Sequence, residues 1–279
     1  MSNEDKGHMP QRSLRSSSET AEHWQQDVQR RRQDFAEATQ CMLEAAELKP
    51  GDHVLDIGAG TGDQSLLAAR RVGSGGSILA TDISAEMLSI AARVAQQERL
   101  TNITTRVMDA QQLDLEDNAF DAVICRLALM LIPHPQQALK EIRRVLKPGG
   151  KLAALVWSTP ENNPLFALPL SIVSKYMREV PSHQPDPFAL SDPTLFEREL
   201  TEAGFFEVRT RALPFQSHYA SLDAFLQTTA SRLTASVMGQ LSQQEQQSLF
   251  GEVRQALSQF EASHGLVAPA EFLLGVGSK

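Results

Sequence analysis

The feature that most constrains this chain is a glycine-rich turn between a short apolar run and a helical pattern. The run and turn read VLDIGAGTGD, residues 54–63, and the helical pattern DQSLLAARRV begins at the last of these residues. Glycine accepts positive φ and lets a ligand approach the main chain closely. Such turns also occur for structural reasons alone. After the first strand of an α/β sheet, however, the turn lies where ligands bind, so it predicts a ligand site.

Strand and helix patterns alternate along residues 51–158. Apolar runs typical of strands, such as SILATDI, FDAVICRL and KLAALVWS, are separated by helical patterns. This spacing favours right-handed crossovers between neighbouring parallel strands. We therefore predict an α/β fold with a Rossmann-like, doubly wound and mostly parallel sheet.

The pattern loosens after this region. Prolines interrupt the next stretch, FFEVRTRALPF alternates as a strand does, and AEFLLGVGS closes the chain as a late strand. We interpret the helical stretches here as lid insertions. The predicted organisation is a mobile tail (1–19), an N-terminal cap helix (20–50), a ligand-binding α/β core (51–158), and a last part (159–279) with helical lid segments (about 160–203 and 221–262) and the last two strands.

Acidic residues end the strands that follow the glycine turn. Asp82 ends the second strand and Asp109 the third. A carboxylate at Asp82 can accept hydrogen bonds from the ribose hydroxyls of a nucleoside, and one at Asp109 can receive the exocyclic amine of an adenine. Either acid alone could be a helix N-cap or a solvated strand end. Together with Asp56 in the first strand, they favour a nucleoside site.

The glycine spacing discriminates between nucleoside ligands. The dinucleotide fingerprint is G-x-G-x-x-G, whereas Gly58, Gly60 and Gly62 alternate here and Asp63 begins the helix. A carboxylate at a helix N-terminus would repel a pyrophosphate, but it does not oppose a cationic or zwitterionic group. The turn therefore fits a nucleoside without phosphates better than NAD.

Four motifs carry a resemblance to a known family. VLDIGAGTG, ATDIS, MDAQQL and RRVLKPGGKL, in this order over about residues 50–157, resemble class I S-adenosylmethionine-dependent methyltransferases. The stretch FDAVICRLALMLIPHPQQALKEIRRVLKPGG resembles the ubiquinone/menaquinone-biosynthesis type and its small-molecule relatives. The resemblance implies a seven-stranded sheet, S-adenosyl-L-methionine as cofactor, and methyl transfer to a small organic acceptor. Residues 159–279 follow the family in arrangement only, so the acceptor is not named by it.

The resemblance also implies a set of cofactor-binding residues around the glycine turn and the following strand ends. It implies that the methionine part of the cofactor passes against Gly58, Ala59, Gly60 and Gly62, and that Asp56 helps to hold the loop and the amino group. Asp82 would bind the ribose hydroxyls, and the adenine would contact Ile83, Met87, Asp109 and Ala110. Cys125 and Arg126 would close the site.

Methyl transfer from a sulfonium is an in-line displacement in which alignment supplies much of the acceleration. A general base is needed only when the acceptor must lose a proton. His134 is the candidate base. Alternatively, His134 is only a turn residue that caps the following helix. Trp24 is a candidate for the lid, or is buried against the sheet, and Met130 is a candidate near the acceptor.

We expect O- or C-methylation of an aromatic, quinol or polyketide-like metabolite, with N-methylation possible. The first alternative from another class is a nucleoside-binding relative without catalysis. The weaker one is an NAD-dependent oxidoreductase. The acceptor, the pathway and any role in natural-product biosynthesis are not encoded in readable motifs.

Charge and cysteine usage exclude other classes of protein. The chain has 26 basic and 34 acidic residues, a formal net charge of −8, which opposes binding to nucleic-acid phosphates. No apolar run reaches the ~20 residues of a membrane-spanning helix, and the first residues lack the apolar core of a signal peptide. The two cysteines match no metal spacing. We expect a cytoplasmic protein, monomer or homodimer, without a metal or membrane insertion.

Overall fold

The computed structural model describes residues 33–177 and 186–279. Trp24, the predicted tail and the first part of the predicted cap helix lie outside the described residues. The helices are α1 (Ala36–Ala45), α2 (Asp63–Val72), α3 (Ala85–Gln97), α4 (Pro135–Val145), α5 (Pro164–Tyr176), α6 (Pro193–Glu202), α7 (Leu222–Phe225), α8 (Ser231–Met238) and α9 (Gln243–Leu257). The strands are β1 (His53–Ile57), β2 (Ser77–Asp82), β3 (Ile103–Val107), β4 (Phe120–Arg126), β5 (Leu146–Trp157), β6 (Phe206–Tyr219), β7 (Glu261–Ala262) and β8 (Gly265–Ser278).

The strands form one sheet in the order β3-β2-β1-β4-β5-β8-β6. The strands from β3 to β5 are parallel, and β8 pairs antiparallel with both β5 and β6. The predicted Rossmann-like, mostly parallel fold is confirmed. An eighth strand, the two-residue β7, pairs with β8 and adds to the seven that were predicted.

The central parallel strands β1, β4 and β5 are largely apolar and buried because helices cover both faces of the sheet. In β4, the residues from Ala122 to Cys125 are almost fully buried, and the two acids Asp56 and Asp82 lie at the carboxyl edge. All parallel strands end at this edge, so the loops that follow β1, β2, β3 and β4 meet there. This is the edge at which doubly wound sheets bind ligands.

The β6–β8 pair extends past the end of β5. Trp157 at the end of β5 pairs with Phe272, whereas β8 begins at Gly265 and pairs with β6 as far as Leu266 and Tyr219. At about 3.4 Å per residue, this ribbon projects roughly 20 Å beyond the carboxyl edge. A second apolar cluster packs on it, apart from the main core. We call it the lid core after the lid segments predicted from the sequence, whose closing movement is still a prediction: Leu165, Ile172, Val173, Leu222, Phe225, Leu226, Ala230, Val237, Leu241, Leu249, Val253, Leu257, Leu266 and Ala268.

The first predicted lid segment, 160–203, divides between the two cores. Helix α5 contributes to the lid core. Helix α6 does not, because Phe196 and Leu200 are fully buried in the main core, where the helix packs against α4, β6 and β8. Its place as the crossover before β6 required long-range packing that the local proline-rich pattern did not reveal.

Candidate cofactor and acceptor site

Two glycines of the turn after β1 have different surroundings. A Cβ on Gly58 would lie 2.2 Å from the Cβ of Ala128, so this glycine lets the turn pack against the loop after β4. Gly60 has φ +57°, and a Cβ there would meet nothing within 4 Å. The main-chain N–H of Gly60 donates to Asp82 Oδ2 at 2.9 Å. The turn therefore presents open space above Gly60 while Asp82 fixes its conformation.

Asp56 lies fully buried beneath the turn. Its carboxylate accepts hydrogen bonds from Ser65 Oγ and from Gln64 Nε2, the latter at 3.1 Å, so it holds the first turn of α2. Burial raises the pKa of Asp56 from 3.8 to about 7, although the two hydrogen bonds and the charge of Arg126 act in the opposite direction. The carboxylate faces the helix start and has no exposed surface.

Asp82 ends β2 and is 5% exposed. Besides the Gly60 bond, its Oδ1 accepts the main-chain N–H of Ser84 at 3.0 Å. Each carboxylate oxygen can accept a second hydrogen bond, which leaves room for hydroxyl donors. The next residue, Ile83, is 45% exposed, whereas Met87 is buried against Ile90 and Val94.

Asp109 is half-buried and is engaged by Gln111. Its Oδ1 accepts the main-chain N–H of Gln111 at 2.8 Å, and the side-chain Nε2 of Gln111 lies 3.0 Å from each of its oxygens. Ala110, between them, is buried. Gln111 did not emerge from the sequence as a site residue, although an amide two residues after a strand-ending acid was a readable signal.

A buried ion pair lies beside the glycine turn. Arg126 Nη2 at the end of β4 is 3.4 Å from Asp63 Oδ2 at the start of α2, with the side chains 8% and 2% exposed. Arg126 Nη1 also donates to Thr39 Oγ1 at 2.9 Å, and its guanidinium lies 5.8 Å from the ring centroid of Phe35. Sequence reasoning did not connect Thr39 or Phe35 with Arg126, because these contacts join parts of the chain about ninety residues apart.

The ion pair borders a cavity of about 480 Å³ between α1 and α2. The buried pair Arg126 and Asp63 contributes one guanidinium and one carboxylate to the cavity wall, and Glu37 and Arg70 contribute a further carboxylate and guanidinium. Such a donor and acceptor pair suits a small zwitterion. The lining residues are Ala36, Glu37, Thr39, Gln40, Asp63, Leu66, Leu67, Arg70 and Arg126.

Six aromatic rings gather where β5 and the ribbon meet the carboxyl edge. Neighbouring ring centroids are 4.6 to 6.1 Å apart, and we call this group the aromatic cluster: Phe35, Trp157, Phe166, Phe188, Phe215 and Phe272. Phe35 connects the cluster to Arg126, and Trp157 is half-buried at the end of β5. The rings come from distant segments of the chain, so no local sequence pattern predicted that they would form a cluster.

The other predicted residues lie at the edges of this arrangement. His134 is exposed at the N-cap position of α4, and its side chain makes no capping hydrogen bond. Its main-chain N–H donates to Gln111 Oε1 at 3.2 Å, which puts His134 on the Asp109 side. Met130 is buried in the main core within a short 3₁₀ helix, Leu129–Leu131, and Cys125 is buried in the same core.

Residues 33–177 and 186–279 contain neither a cluster of metal-ligand side chains nor a membrane-spanning helix. Groups of three or more His, Cys, Asp or Glu suited to holding a metal ion are absent from these ranges. No helix within them has the length and apolar character needed to cross a membrane.

The family is shown by a model described as a methyltransferase domain, which matches residues 48–204, more than half of the chain. This chain therefore belongs to the methyltransferase-domain family, within the class I S-adenosylmethionine-dependent methyltransferases that its motifs resemble. The matched region includes the glycine turn, Asp82, Asp109 and Arg126.

Among curated proteins, the ubiquinone/menaquinone biosynthesis C-methyltransferase UbiE of Cellvibrio japonicus is 40% identical over 121 residues, 43% of this chain and 49% of that protein. UbiE of Neisseria meningitidis serogroup C is 42% identical over 120 residues, 42% of this chain and 47% of that protein. The chain thus spans about half the length of the curated relatives it matches. This likeness confirms the predicted resemblance to the ubiquinone/menaquinone-biosynthesis type.

Solved structures show the fold over most of the chain. YcgJ of Bacillus subtilis matches with a TM-score of 0.62 and 19% identity, over 88% of this chain and 98% of that one. At this identity the match shows the fold and does not identify the acceptor.

Proposed function

We propose that this chain transfers the methyl group of S-adenosylmethionine to a small aromatic acceptor, at a hydroxyl oxygen or a ring carbon. One observation carries the proposal. The glycine turn has strand-ending carboxylates on one side, at Asp82 and Asp109, and the aromatic cluster on the other. A nucleoside and an aromatic ring can therefore bind at adjacent positions along one edge of the sheet.

The residues present fit the nucleoside end of this cofactor. Carboxylates only accept hydrogen bonds, and ribose hydroxyls and an adenine amine are donors. We assign the ribose to Asp82 and the amine to Asp109, with the exposed side chain of Ile83 against the adenine face. The open space above Gly60 leaves room for the chain that joins ribose to sulfur.

The buried ion pair fits the amino-acid end. A methionyl group carries one carboxylate and one ammonium, which match Arg126 and Asp63 in sign and number. Asp63, which disfavours a pyrophosphate at the start of α2, favours an ammonium there. Arg126 would then close the site from the end of β4, in the place that the family resemblance implies.

The bound cofactor supplies an electrophilic methyl group on a sulfonium. The chain's own contribution is to align the acceptor with that group and to keep water away. Trp157 and Phe166 stack with centroids 5.1 Å apart and an interplanar angle of 23°, which offers flat apolar surface to an aromatic ring. The curated relatives are named C-methyltransferases of quinone biosynthesis, which supports a ring-carbon acceptor.

Deprotonation is needed only for acceptors that lose a proton in the reaction. His134 is the candidate for that role, at the exposed start of α4 beside Gln111. Proximity and alignment carry the transfer to all other acceptors. A rate that is independent of His134 is therefore expected for a phenolate already ionised at the working pH.

Isothermal titration calorimetry tests the cofactor. We expect saturable binding of S-adenosylmethionine and of S-adenosylhomocysteine, with the zwitterionic end required. The matched ligand is methylthioadenosine, which keeps the nucleoside and lacks the amino acid, and it should bind more weakly because it has no carboxylate for Arg126 and no ammonium for Asp63. A folded sample that binds neither full ligand at millimolar concentration would sink the proposal.

Acceptor use separates an enzyme from a nucleoside-binding relative without catalysis. Release of S-adenosylhomocysteine is measured on incubation with a panel of phenols, quinols and amines. The proposal expects turnover with phenols or quinols first. Cofactor binding without turnover across the panel would favour the binding relative, and saturable binding of a nicotinamide dinucleotide would favour the oxidoreductase.

A further inference from the structure

The family resemblance assigns no role to Gln111, yet its side chain donates hydrogen bonds to the carboxylate of Asp109. The Nε2 atom lies 3.0 Å from both carboxylate oxygens. The main-chain N–H of the same residue donates to Oδ1 at 2.8 Å. Three contacts from one residue therefore hold the acid that the proposed function gives to the adenine amine.

The amide of a glutamine and the exocyclic amine of adenine have the same donor chemistry. Each is a planar NH₂ group with two N–H donors attached to an unsaturated carbon. The Oδ1 atom of Asp109 already accepts two hydrogen bonds from Gln111, one from the main-chain N–H and one from Nε2, whereas Oδ2 accepts one. An adenine amine that donates to Oδ1 must therefore displace the side chain of Gln111.

We propose that Gln111 is a placeholder for the adenine amine, holding Asp109 in the free protein and leaving it when the cofactor binds. This inference rests on the proposed nucleoside site and deepens it. Gln111 thereby sets the affinity for the cofactor, because part of the binding free energy is spent on breaking its bonds to Asp109. It acts on the ligand only through Asp109, as a positioning residue.

The same side chain links the site to the start of α4. Gln111 Oε1 accepts the main-chain N–H of His134 at 3.2 Å. His134 lies between Pro133 and Pro135, which have no N–H, so the His134 N–H is the main-chain donor of this turn and Gln111 Oε1 is its acceptor. The main-chain oxygen of Gln111 accepts from Gln137 Nε2 at 2.9 Å and needs no movement. Displacement of the side chain thus releases His134 and leaves the second contact in place.

The test compares Gln111→Met with Gln112→Met. Methionine keeps the length of the side chain and removes both donors and the acceptor. Gln112, the next residue, is exposed, and its side chain makes no hydrogen bond to the described part of the chain, so it is the matched control. S-adenosylhomocysteine should bind about fivefold more tightly to Gln111→Met, the factor given by one ordinary net hydrogen bond, and unchanged to Gln112→Met.

A second ligand locates the effect on the purine. S-inosylhomocysteine carries a carbonyl oxygen where adenine has the amine, so it cannot donate to Asp109 from that position. Its affinity for the Gln111→Met variant should equal its affinity for the wild type. An equal gain for both ligands would place the effect elsewhere and overturn the placeholder.

Amide exchange at His134, followed by NMR, reports displacement directly. In the wild type, S-adenosylhomocysteine should speed this exchange by removing the acceptor. In Gln111→Met the exchange should be fast with and without ligand. Unchanged exchange in the wild type on ligand binding, or equal or weaker binding of S-adenosylhomocysteine by the variant, overturns the inference while the proposed function stands. Failure of wild type and variants alike to bind S-adenosylhomocysteine overturns both.

Discussion

The glycine-turn edge and the lid are held together by different kinds of contact. At the edge, short polar contacts fix the loops, as in the bonds from Gly60 to Asp82 and from Gln111 to Asp109. The lid core instead consists of apolar side chains spread from Leu165 to Ala268 along the chain. Polar contacts with defined geometry preorganise a binding site, whereas a separate apolar core can open as a unit. Cofactor binding and lid stability should therefore respond to different substitutions.

The entry to the lid is also fixed by polar contacts. Asn163, which is buried, donates through Nδ2 to the main-chain oxygens of Ser158, Thr159 and Glu271, and its Oδ1 accepts the Glu271 N–H at 2.9 Å. These bonds tie the start of α5 to β8 at the carboxyl edge. Movement of the lid is therefore expected beyond Asn163, in the helices.

The largest expected effect comes from Phe225→Ala in the lid core. Phe225 is fully buried and lies edge-on to Tyr219, with centroids 4.9 Å apart. Removing the ring should lower the local stability of the lid by about 3–5 kcal/mol while leaving affinity for S-adenosylhomocysteine unchanged. Hydrogen exchange of 222–257 measures the lid stability, and calorimetry measures the affinity.

The control is Phe196→Ala, at an equally buried position in the main core. This variant should lower both the lid stability and the affinity for S-adenosylhomocysteine. Equal effects of the two substitutions on both quantities would contradict two separable cores.

Gly60→Val should abolish most cofactor binding. Valine is strained at φ +57°, and its side chain would enter the open space reserved for the cofactor. Gly51→Val is the matched control, because Gly51 also has positive φ and open space, but precedes β1 at the opposite edge of the sheet. Calorimetry with S-adenosylhomocysteine should show loss in the first variant only. Similar losses in both would assign the effect to backbone strain.

Asp82→Ala should weaken cofactor binding by about 1.5–3 kcal/mol, the scale of hydrogen bonds to a charged group. The substitution removes the ribose acceptor and also leaves the Gly60 N–H without its partner. Asp114→Ala, whose side chain is 88% exposed in an ion pair with Arg106, serves as the control. A wild-type dissociation constant for Asp82→Ala would refute the placement of the ribose.

Asp56 makes stability depend on pH between its unfolded pKa of 3.8 and its folded pKa of about 7. Since burial raises its pKa from 3.8 to about 7, the folded state binds this proton more tightly than the unfolded chain. The stability it contributes is complete below the unfolded pKa and is lost as pH rises through the folded pKa, by at most about 1.4 kcal/mol per pH unit.

Asp56→Asn removes this titration. In urea unfolding across the acidic to neutral range, the free energy of unfolding of the variant should rise relative to that of the wild type as the pH rises. The exposed Asp114→Asn exchange should leave the wild-type profile unchanged. Parallel profiles for wild type and Asp56→Asn would show that the pKa of Asp56 is the same in the folded and unfolded states.

The smallest expected effect is a change in lid exchange on cofactor binding. We expect amides in α5 and in 222–257 to exchange more slowly with S-adenosylhomocysteine, about tenfold at a ligand concentration ten times Kd if opening releases the ligand. Strands β1 and β4 should stay protected in both states. Helix α6, which packs in the main core, should follow the strands. Equal lid protection with and without ligand would mean a preformed site.

Much of the cofactor half followed from the sequence because its signals are local. The glycine turn and Asp82 end strands that are mostly apolar and buried, Asp109 follows the edge strand β3 by two residues, and parallel strands bring their ends to one edge. The roles of these residues toward a ligand are still predictions. The partners of Arg126 could not be read in the same way, because Thr39 and Phe35 reach it only through the packing of α1 on the sheet.

The lid shows the opposite balance. Helical periodicity located α5 and α9, but the same kind of pattern misplaced α6, since an amphipathic helix does not state which apolar surface it will cover. The length of the β6–β8 ribbon decided that question, because it provides a surface for one set of helices beyond the sheet and leaves α6 on the sheet itself.

The sequence by itself determined the class of protein, the alternation of strands and helices, and the residues at the carboxyl edge. Each of these depends on periodicity and spacing within a few tens of residues. Only the tertiary structure decided what lies around them: the ion pair of Asp63 and Arg126, the aromatic cluster, and the occupation of Asp109 by Gln111. The physical reason is that periodicity fixes which face of an element is buried, whereas the partner on that face depends on how distant elements pack.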